Sequence, residues 1–201
     1  MDTLIFDFET LSQNPIDGVV VSLALLTFSE NTMLRNGYSY EELLENTKFV
    51  KFDVSDQVNK WNRRIEESTL EWWSQQTKEA RASIKPSSTD VSITEMIPWI
   101  SSQFDRQKIK TVFTRNNTFD PVIIQSVCRD FSTPIPYDWW KIRDTKSFIM
   151  GLTYGTDIRD SFIPLECENK YVKHDPRHDI VLDVMRLQTI MYHKFGDDNV
   201  S

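Results

Sequence analysis

Asp7-Phe8-Glu9 is the first stretch of the chain whose side chains could do chemistry. It closes an apolar run, Leu4-Ile5-Phe6, of the kind that forms a strand. Side chains alternate across a strand, so Asp7 and Glu9 project from one face while Phe6 and Phe8 enter the opposite layer. Two carboxylates on one face repel each other. The arrangement is stable when a cation lies between them or one carboxyl keeps its proton. Hard divalent cations such as Mg²⁺ take oxygen ligands of this type. Taken alone, such a pair is more often a strand running out into solvent. Further on, Phe119-Asp120 opens a predicted helix, a position where an aspartate is usually a cap.

The third signal lies near the end, in His178-Asp179-Ile180-Val181-Leu182-Asp183. It puts Asp183 beside the apolar stripe of a late helix, with no basic residue four positions away to pair with it. A carboxylate there needs a partner, and a metal ion would be one. His174 and Asp179 have the same spacing, so the motif has two registers. Pro176 resists a helix inside the first, whereas the second sets the histidine just before the helix and the acid within it. His178 and Asp183 are therefore the expected pair.

These acids must be carried by a sheet and its helices. Strands are expected over residues 4–9, 19–28 and, as an edge, 48–54, with shorter ones at 111–114 and around Ile142. Helical patterning runs through residues 55–83, with Ser68-Thr69 as a start signal, and through residues 93–104 despite Pro98. Further helices are expected over residues 121–131, 145–152 behind Asp144, and 179–194. Residues 40–45 are of open form, and residues 153–175 read as mostly irregular. Early strands that can pair as a meander, then strands alternating with helices, indicate an α/β fold with a mixed sheet.

Composition narrows the function. The 201 residues suit one domain, here taken as residues 1–201. Acids outnumber bases 30 to 23, a formal charge of −7, which argues against coating nucleic acid through bulk positive charge. A nuclease that takes its positive charge from bound cations stays open. Cys128 and Cys167 form no CxxC pattern, so neither a disulfide framework nor a cysteine zinc site is expected. The longest apolar run, residues 19–28, is too short to span a bilayer, and the first residues lack the basic start of a signal peptide. A soluble cytoplasmic protein without a membrane partner is expected.

Asp7-x-Glu9, Phe119-Asp120 and the late His-x-x-x-x-Asp resemble, in this order, the three motifs of the DEDDh 3′–5′ exonucleases. Asn116-Asn117-Thr118-Phe119-Asp120 is similar to the family's HNAxFD, with Arg115 where the family often has histidine. Ser68-Thr69-Leu70-Glu71-Trp72-Trp73, Glu79-Ala80-Arg81 and Ile142-Arg143-Asp144 resemble a narrower branch, which holds the T-even phage exonuclease A and the mycobacterial 3′–5′ exoribonucleases. The likeness runs from Leu4 to Met191.

The resemblance implies a ribonuclease H-like, five-stranded mixed sheet and release of nucleoside 5′-monophosphates from a 3′ end. It implies two divalent cations, Mg²⁺ or Mn²⁺, held by Asp7, Glu9, Asp120 and Asp183 with Asp7 bridging, about 3.5–4 Å apart as in two-metal sites. His178 would be the general base, and carboxylates around it would favour its protonated form. Thr10, Leu11, Trp72, Trp73, Asn116 and Phe119 would meet the substrate, and adjacent helical positions make one of the two tryptophans core. Arg63, Arg64, Lys173 and Arg177 are candidates for phosphates. Likeness to the phage enzyme favours single-stranded DNA, with RNA 3′ ends as the alternative. An inactive binding module has no use for four converging acids. An aspartyl-nucleophile phosphatase usually has a second aspartate where this chain has Glu9. No feature marks an oligomeric interface.

Overall fold

In the computed structural model, which describes residues 1–195, the apolar run that opens the chain is a strand, β1 (Thr3–Thr10). It pairs antiparallel with β2 (Val20–Phe28), and β3 (Lys48–Lys51) lies antiparallel on the far side of β2. On the other flank β4 (Thr111–Thr114) and β5 (Ile142–Asp144) run parallel to β1. The order β3-β2-β1-β4-β5 makes β1 the central strand of the expected mixed sheet. β3 stops short of the expected range because Asp53 turns to cap a helix, accepting from the Asp56 N–H.

The helices are α1 (Glu30–Arg35), α2 (Tyr40–Asn46), α3 (Val54–Trp61), α4 (Glu67–Ser74), α5 (Lys78–Ile84), α6 (Met96–Gln103), α7 (Asp120–Asp130), α8 (Thr145–Leu152) and α9 (Pro176–Phe195). α1 and α2 start on Ser29 and Ser39, each accepting from the N–H three residues on. The helical region of residues 55–83 is three short helices. Asn62, in the left-handed region at φ 52°, ends the first, and Thr77 caps the third. Pro98 falls in the first turn of α6, where a missing N–H removes no intrahelical bond.

Strand alternation sorts β1 into two layers. Leu4, Phe6 and Phe8 pack on Ile97 and Ile100 of α6 and on Ile123, Ile124 and Val127 of α7. Ile5 packs with Ala24 and Leu26 of β2, Ile149 of α8, and Ile180, Val181 and Val184 of α9. Asp7 and Glu9 share the face of Ile5, so they look toward α9. The loop after them folds back closely at Gly18, where an added Cβ would lie 2.5 Å from the Asn14 carbonyl oxygen. The Gly18 carbonyl accepts from Arg63, 4% exposed, whose guanidinium also reaches Ser126 and Asp130 of α7.

α9 begins earlier than its apolar pattern indicates. Asp175 accepts from the Arg177 N–H at 3.1 Å, and its carbonyl accepts from the Asp179 N–H at 2.9 Å. That is N-cap geometry, and Pro176 occupies the first helical position, where its fixed φ is favourable. The proline does not block the helix; it starts it. Asp175→Ala is expected to lower stability by about 1 kcal/mol in urea denaturation, with Asp175→Asn losing less because asparagine still caps. An alanine variant as stable as the parent would show that the cap is idle.

Candidate active site

Five acids converge where the C-terminal ends of β1 and β4 meet α7 and α9. Asp7 and Glu9 stand on one face of β1, and Asp120 opens α7 beside them. The Asp120 Oδ1 accepts from the Phe8 N–H at 3.2 Å, which ties the helix to the strand between the other two acids. Asp179 and Asp183, one turn apart on α9, face them from above. A cleft of about 490 Å³ is lined by Asp7, Glu9, Asp179, Asp183, Arg115 and His174, with Tyr171 and Lys173 at its side.

Burial and crowding shift these carboxyls together. Asp7 is held well above the usual carboxylate range by desolvation and then by the charges of Asp120, Glu9, Asp179 and Asp183. Glu9 is raised likewise, by burial first and by Asp179, Asp120 and Asp175 next. Asp120 is pushed up to about 7 by burial, against the pull of the Phe8 N–H. Asp179 also reaches about 7 through burial, opposed by hydrogen bonds from the Tyr171 hydroxyl and the His174 N–H. Among the described residues none of these four has a lysine or arginine partner.

Asp183 is different. Its Oδ1 accepts from Arg115 at 2.7 Å and from Arg186 at 2.8 Å, and its Oδ2 from the Thr145 hydroxyl at 2.6 Å. The i±4 positions hold no base, as read from the sequence; the partners are Arg186 at i+3 and Arg115 from the end of β4. Its charge is already met by protein.

The two histidines are also separated. His174 sits immediately before the Asp175 cap with φ 64°, a left-handed conformation uncommon for a residue with a side chain. One ligand atom from each of Glu9, His174 and Asp179 lies within 4.8 Å of the others. His178 lies inside the first turn of α9, and its Nδ1 is 2.5 Å from the Tyr40 hydroxyl on α2. It does not line the cleft. Five residues along a helix rotate by about 140°, so His178 and Asp183 cannot share a face once the helix starts at Pro176. The Asp-Pro pair before the helix was the available signal. Both histidines are pushed below their ordinary value by burial first, His174 also by Lys173, and for His178 this is the reverse of the expectation that carboxylates would favour its protonated form.

The expected substrate residues divide in the same way. Thr10 falls at a bulge, its hydroxyl bonded to the Ser12 carbonyl. Leu11 is packed in a small cluster with Val19, Val21 and Trp73. Trp73 is the core member of its pair, donating from Nε1 to the Thr10 carbonyl at 3.0 Å. Trp72 is 40% exposed, its ring edge-on to His174. Asn116 spends its Oδ1 on the backbone and hydroxyl of Thr118, and Phe119 packs partly against the core. Both line a second concavity of about 830 Å³ that shares Asp7 and Arg115 with the first. Of the four cations offered for phosphates, only Lys173 lines the cleft. Arg63 is structural, Arg64 pairs with Asp17, and Arg177 pairs with Asp175 over the Phe49 ring.

A family model described as the Rv2179c-like 3′-5′ exoribonuclease domain matches residues 2–191. The chain belongs to this family. An exodeoxyribonuclease of Enterobacteria phage T4 is 27% identical over 213 residues, covering 98% of this chain and 92% of the phage protein. Two structures of E. coli exonuclease I superpose on it. One, a zinc-bound complex with single-stranded DNA, has a TM-score of 0.65 and 13% identity over 96% of this chain. The other, in complex with a dT13 oligonucleotide, has a TM-score of 0.61 and 15% identity over 98% of this chain. This chain spans 40% and 42% of those two proteins, and the likeness is one of fold. The mixed sheet and flanking helices are thus the ribonuclease H-like fold of the DEDDh exonucleases, carried by a member of a 3′–5′ exonuclease family. No helix among the described residues is long and apolar enough to cross a membrane.

The donor set of this exonuclease-family cleft fits divalent cations: buried carboxylates without basic partners among the described residues, raised in pKa by burial and then by one another, with an imidazole at the rim. That fit has a thermodynamic consequence. A carboxyl raised on folding contributes stability that is whole below its unfolded value, near 4, and is lost as pH climbs through its folded value. For Asp120 and Asp179 that folded value is about 7. With EDTA present, Tm is expected to fall between pH 5 and 8. Millimolar Mn²⁺ should restore it at pH 8, and Asp120→Asn with Asp179→Asn should flatten the curve. A Tm indifferent to pH and to Mn²⁺ would contradict the cation site.

Proposed function

We propose that this protein is a metal-dependent 3′–5′ exonuclease of single strands, DNA before RNA, and that the whole chain works as one domain. The observation that carries the reading is the acidic cluster itself: among the described residues Asp7, Glu9, Asp120 and Asp179 have no basic partner, and His174 is within reach of two of them. We assign the four acids to two divalent cations, Mg²⁺ or Mn²⁺, and the proton-acceptor role to His174. This differs from the register expected from sequence alone. His178 and Asp183 are assigned to the fold, one bonded to Tyr40 and the other to two arginines.

When bound, the cations neutralise the phosphodiester and activate water. The chain's own residues do the rest. Asp7 and Glu9 are fixed by the strand, and Asp120 is fixed to it through Phe8. His174 takes the proton of the attacking water, a role suited to an imidazole that burial and Lys173 push toward its neutral form. The new P–O bond forms from that water, the P–O3′ bond breaks, and the 3′-oxygen stays with the shortened strand. The product is a nucleoside 5′-monophosphate. Trp72, edge-on to His174 and part-exposed, is the candidate to stack on a terminal base.

The phage relative's name and the DNA-bound exonuclease I structures support a DNA substrate. The family's description supports RNA as the second reading. Matched DNA and RNA oligonucleotides labelled at the 5′ end, digested in Mg²⁺ and Mn²⁺, separate the two by rate and by the polarity of the ladder. His174→Ala is expected to lose at least about 10²-fold in kcat, and His178→Ala only a few-fold. Asp179→Asn should be as inactive as Asp7→Ala. If His178→Ala were the inactive variant, the base would be His178, on a helix start that unwinds in the complex. A wild-type protein equally active in excess EDTA would remove the metal-dependent reading altogether.

A further inference from the structure

Arg115 follows the last residue of β4 and, among the described residues, carries the one guanidinium that lines both concavities beside Asp7. Two acids hold it: Nη1 donates to the Asp183 Oδ1 at 2.7 Å, and Nη2 donates to Asp160 at Oδ2 (2.9 Å) and at the carbonyl (3.2 Å). A guanidinium has five N–H donors in a rigid plane. These contacts leave the Nε–H and one Nη1–H without an acceptor among the described residues. The side chain is 32% exposed, while the Asp183 side chain behind it is 3% exposed. The fork is therefore clamped from the protein side and open toward the cleft.

Neutralising Asp183 does not by itself explain this placement. Arg186, 8% exposed, already donates to the same oxygen from within α9. Arg186 is enclosed, but Arg115 is presented. A phosphodiester held at Asp7 would lie in the space that Arg115 borders on both sides. Its non-bridging oxygens gain negative charge as water adds to phosphorus, and a donor already fixed there stabilises that charge without reorganising.

We propose that Arg115 is a catalytic residue that donates to a non-bridging oxygen of the scissile phosphate, with Asp183 and Asp160 as the positioning residues that set its plane. The proposal rests on the nuclease reading above. It gives Asp183 a task other than metal ligation, and it gives the arginine that stands in the histidine position of HNAxFD a chemical role.

The test compares Arg115→Gln and Arg115→Lys with the wild-type chain. Two substrates are used: a labelled oligonucleotide and the p-nitrophenyl ester of thymidine 5′-monophosphate, which has a single phosphodiester and no strand to track. Arg115→Gln is expected to lower kcat about 10²-fold on both, as loss of one preorganised donor does. Arg115→Lys should recover only part, because lysine lacks the fork. Calorimetric Mn²⁺ affinity should stay within two-fold of wild type. Binding of thymidine 5′-monophosphate in Ca²⁺ should weaken at least ten-fold.

An unchanged kcat overturns the proposal. So does a loss that tracks Mn²⁺ affinity, which would make Arg115 a prop for the metal site. A raised KM on the oligonucleotide alone also overturns it, placing the contact on a neighbouring phosphate. If Arg115→Gln does not fold, Asp160→Asn decides. It frees one side of the fork at a part-exposed site, and kcat should fall several-fold with Mn²⁺ affinity kept; no fall overturns the proposal. A wild-type chain inactive on both substrates in Mn²⁺ would instead refute the nuclease reading, and this proposal with it.

Discussion

Repulsion among buried carboxyls sets the terms for the rest of this molecule. Asp7 and Glu9 lie on the central strand, under a helix, with Asp120 and Asp179 against them and, among the described residues, no basic side chain paired to any of the four. A protein that only had to fold would place leucines there. The surrounding structure tolerates the clash because β1 is anchored on every other side. Its backbone is paired to β2 along its length, to β4 over its first half, and its alternate residues are buried in the layer of α6 and α7. Stability and function pull apart at this spot, and a bound cation would reconcile them.

The arginine network shows how the fold limits that repulsion. Asp183 stands next to the unpaired acids, yet two guanidiniums and a hydroxyl use its oxygens. The positive charge thereby brought into the acidic cleft is not free to collapse onto Asp7 or Glu9. Arg115 is held between Asp183 and Asp160, and Arg186 is held by Asp183 and by the carbonyls of Ser161 and Phe162. Negative groups and the two guanidiniums thus coexist within one cleft because each guanidinium has a fixed partner behind it. A flexible lysine in the place of Arg115 would be drawn to the unpaired acids and would compete with a metal.

What was legible in the sequence was local. The apolar alternation of residues 4–9 put both β1 acids on one face, and Phe119-Asp120 marked the start of α7, because strand period and helix start are written in neighbouring residues. The sheet followed from the order of elements. The pairing of Arg115 with Asp183 joins residues 68 apart, and no spacing rule reaches that far. Which tryptophan is core depended likewise on α4 lying over Thr10. The histidine register that the structure brings to the cleft differs from the expected one for another reason. Both candidates have the same spacing, and Pro176 was read as a helix breaker when Asp175 in front of it makes it a helix starter.

That distinction carries into the chemistry. Burial lowers the pKa of both histidines, so acidity does not choose between them. Position does. The Asp175 cap fixes where the helix begins, and the residue before a cap is the last one free to leave the helix axis. His174 takes that freedom in a left-handed backbone conformation and turns its N–H onto Asp179, one turn into the helix. The same Asp179 receives the Tyr171 hydroxyl, so acid, histidine and loop close into one unit beside Glu9. His178 is inside the regular helix and has only the direction the helix allows, toward Tyr40. A helix that started four residues later would exchange their parts. Under the proposed assignment, the proton acceptor in this cleft is therefore selected by a helix cap.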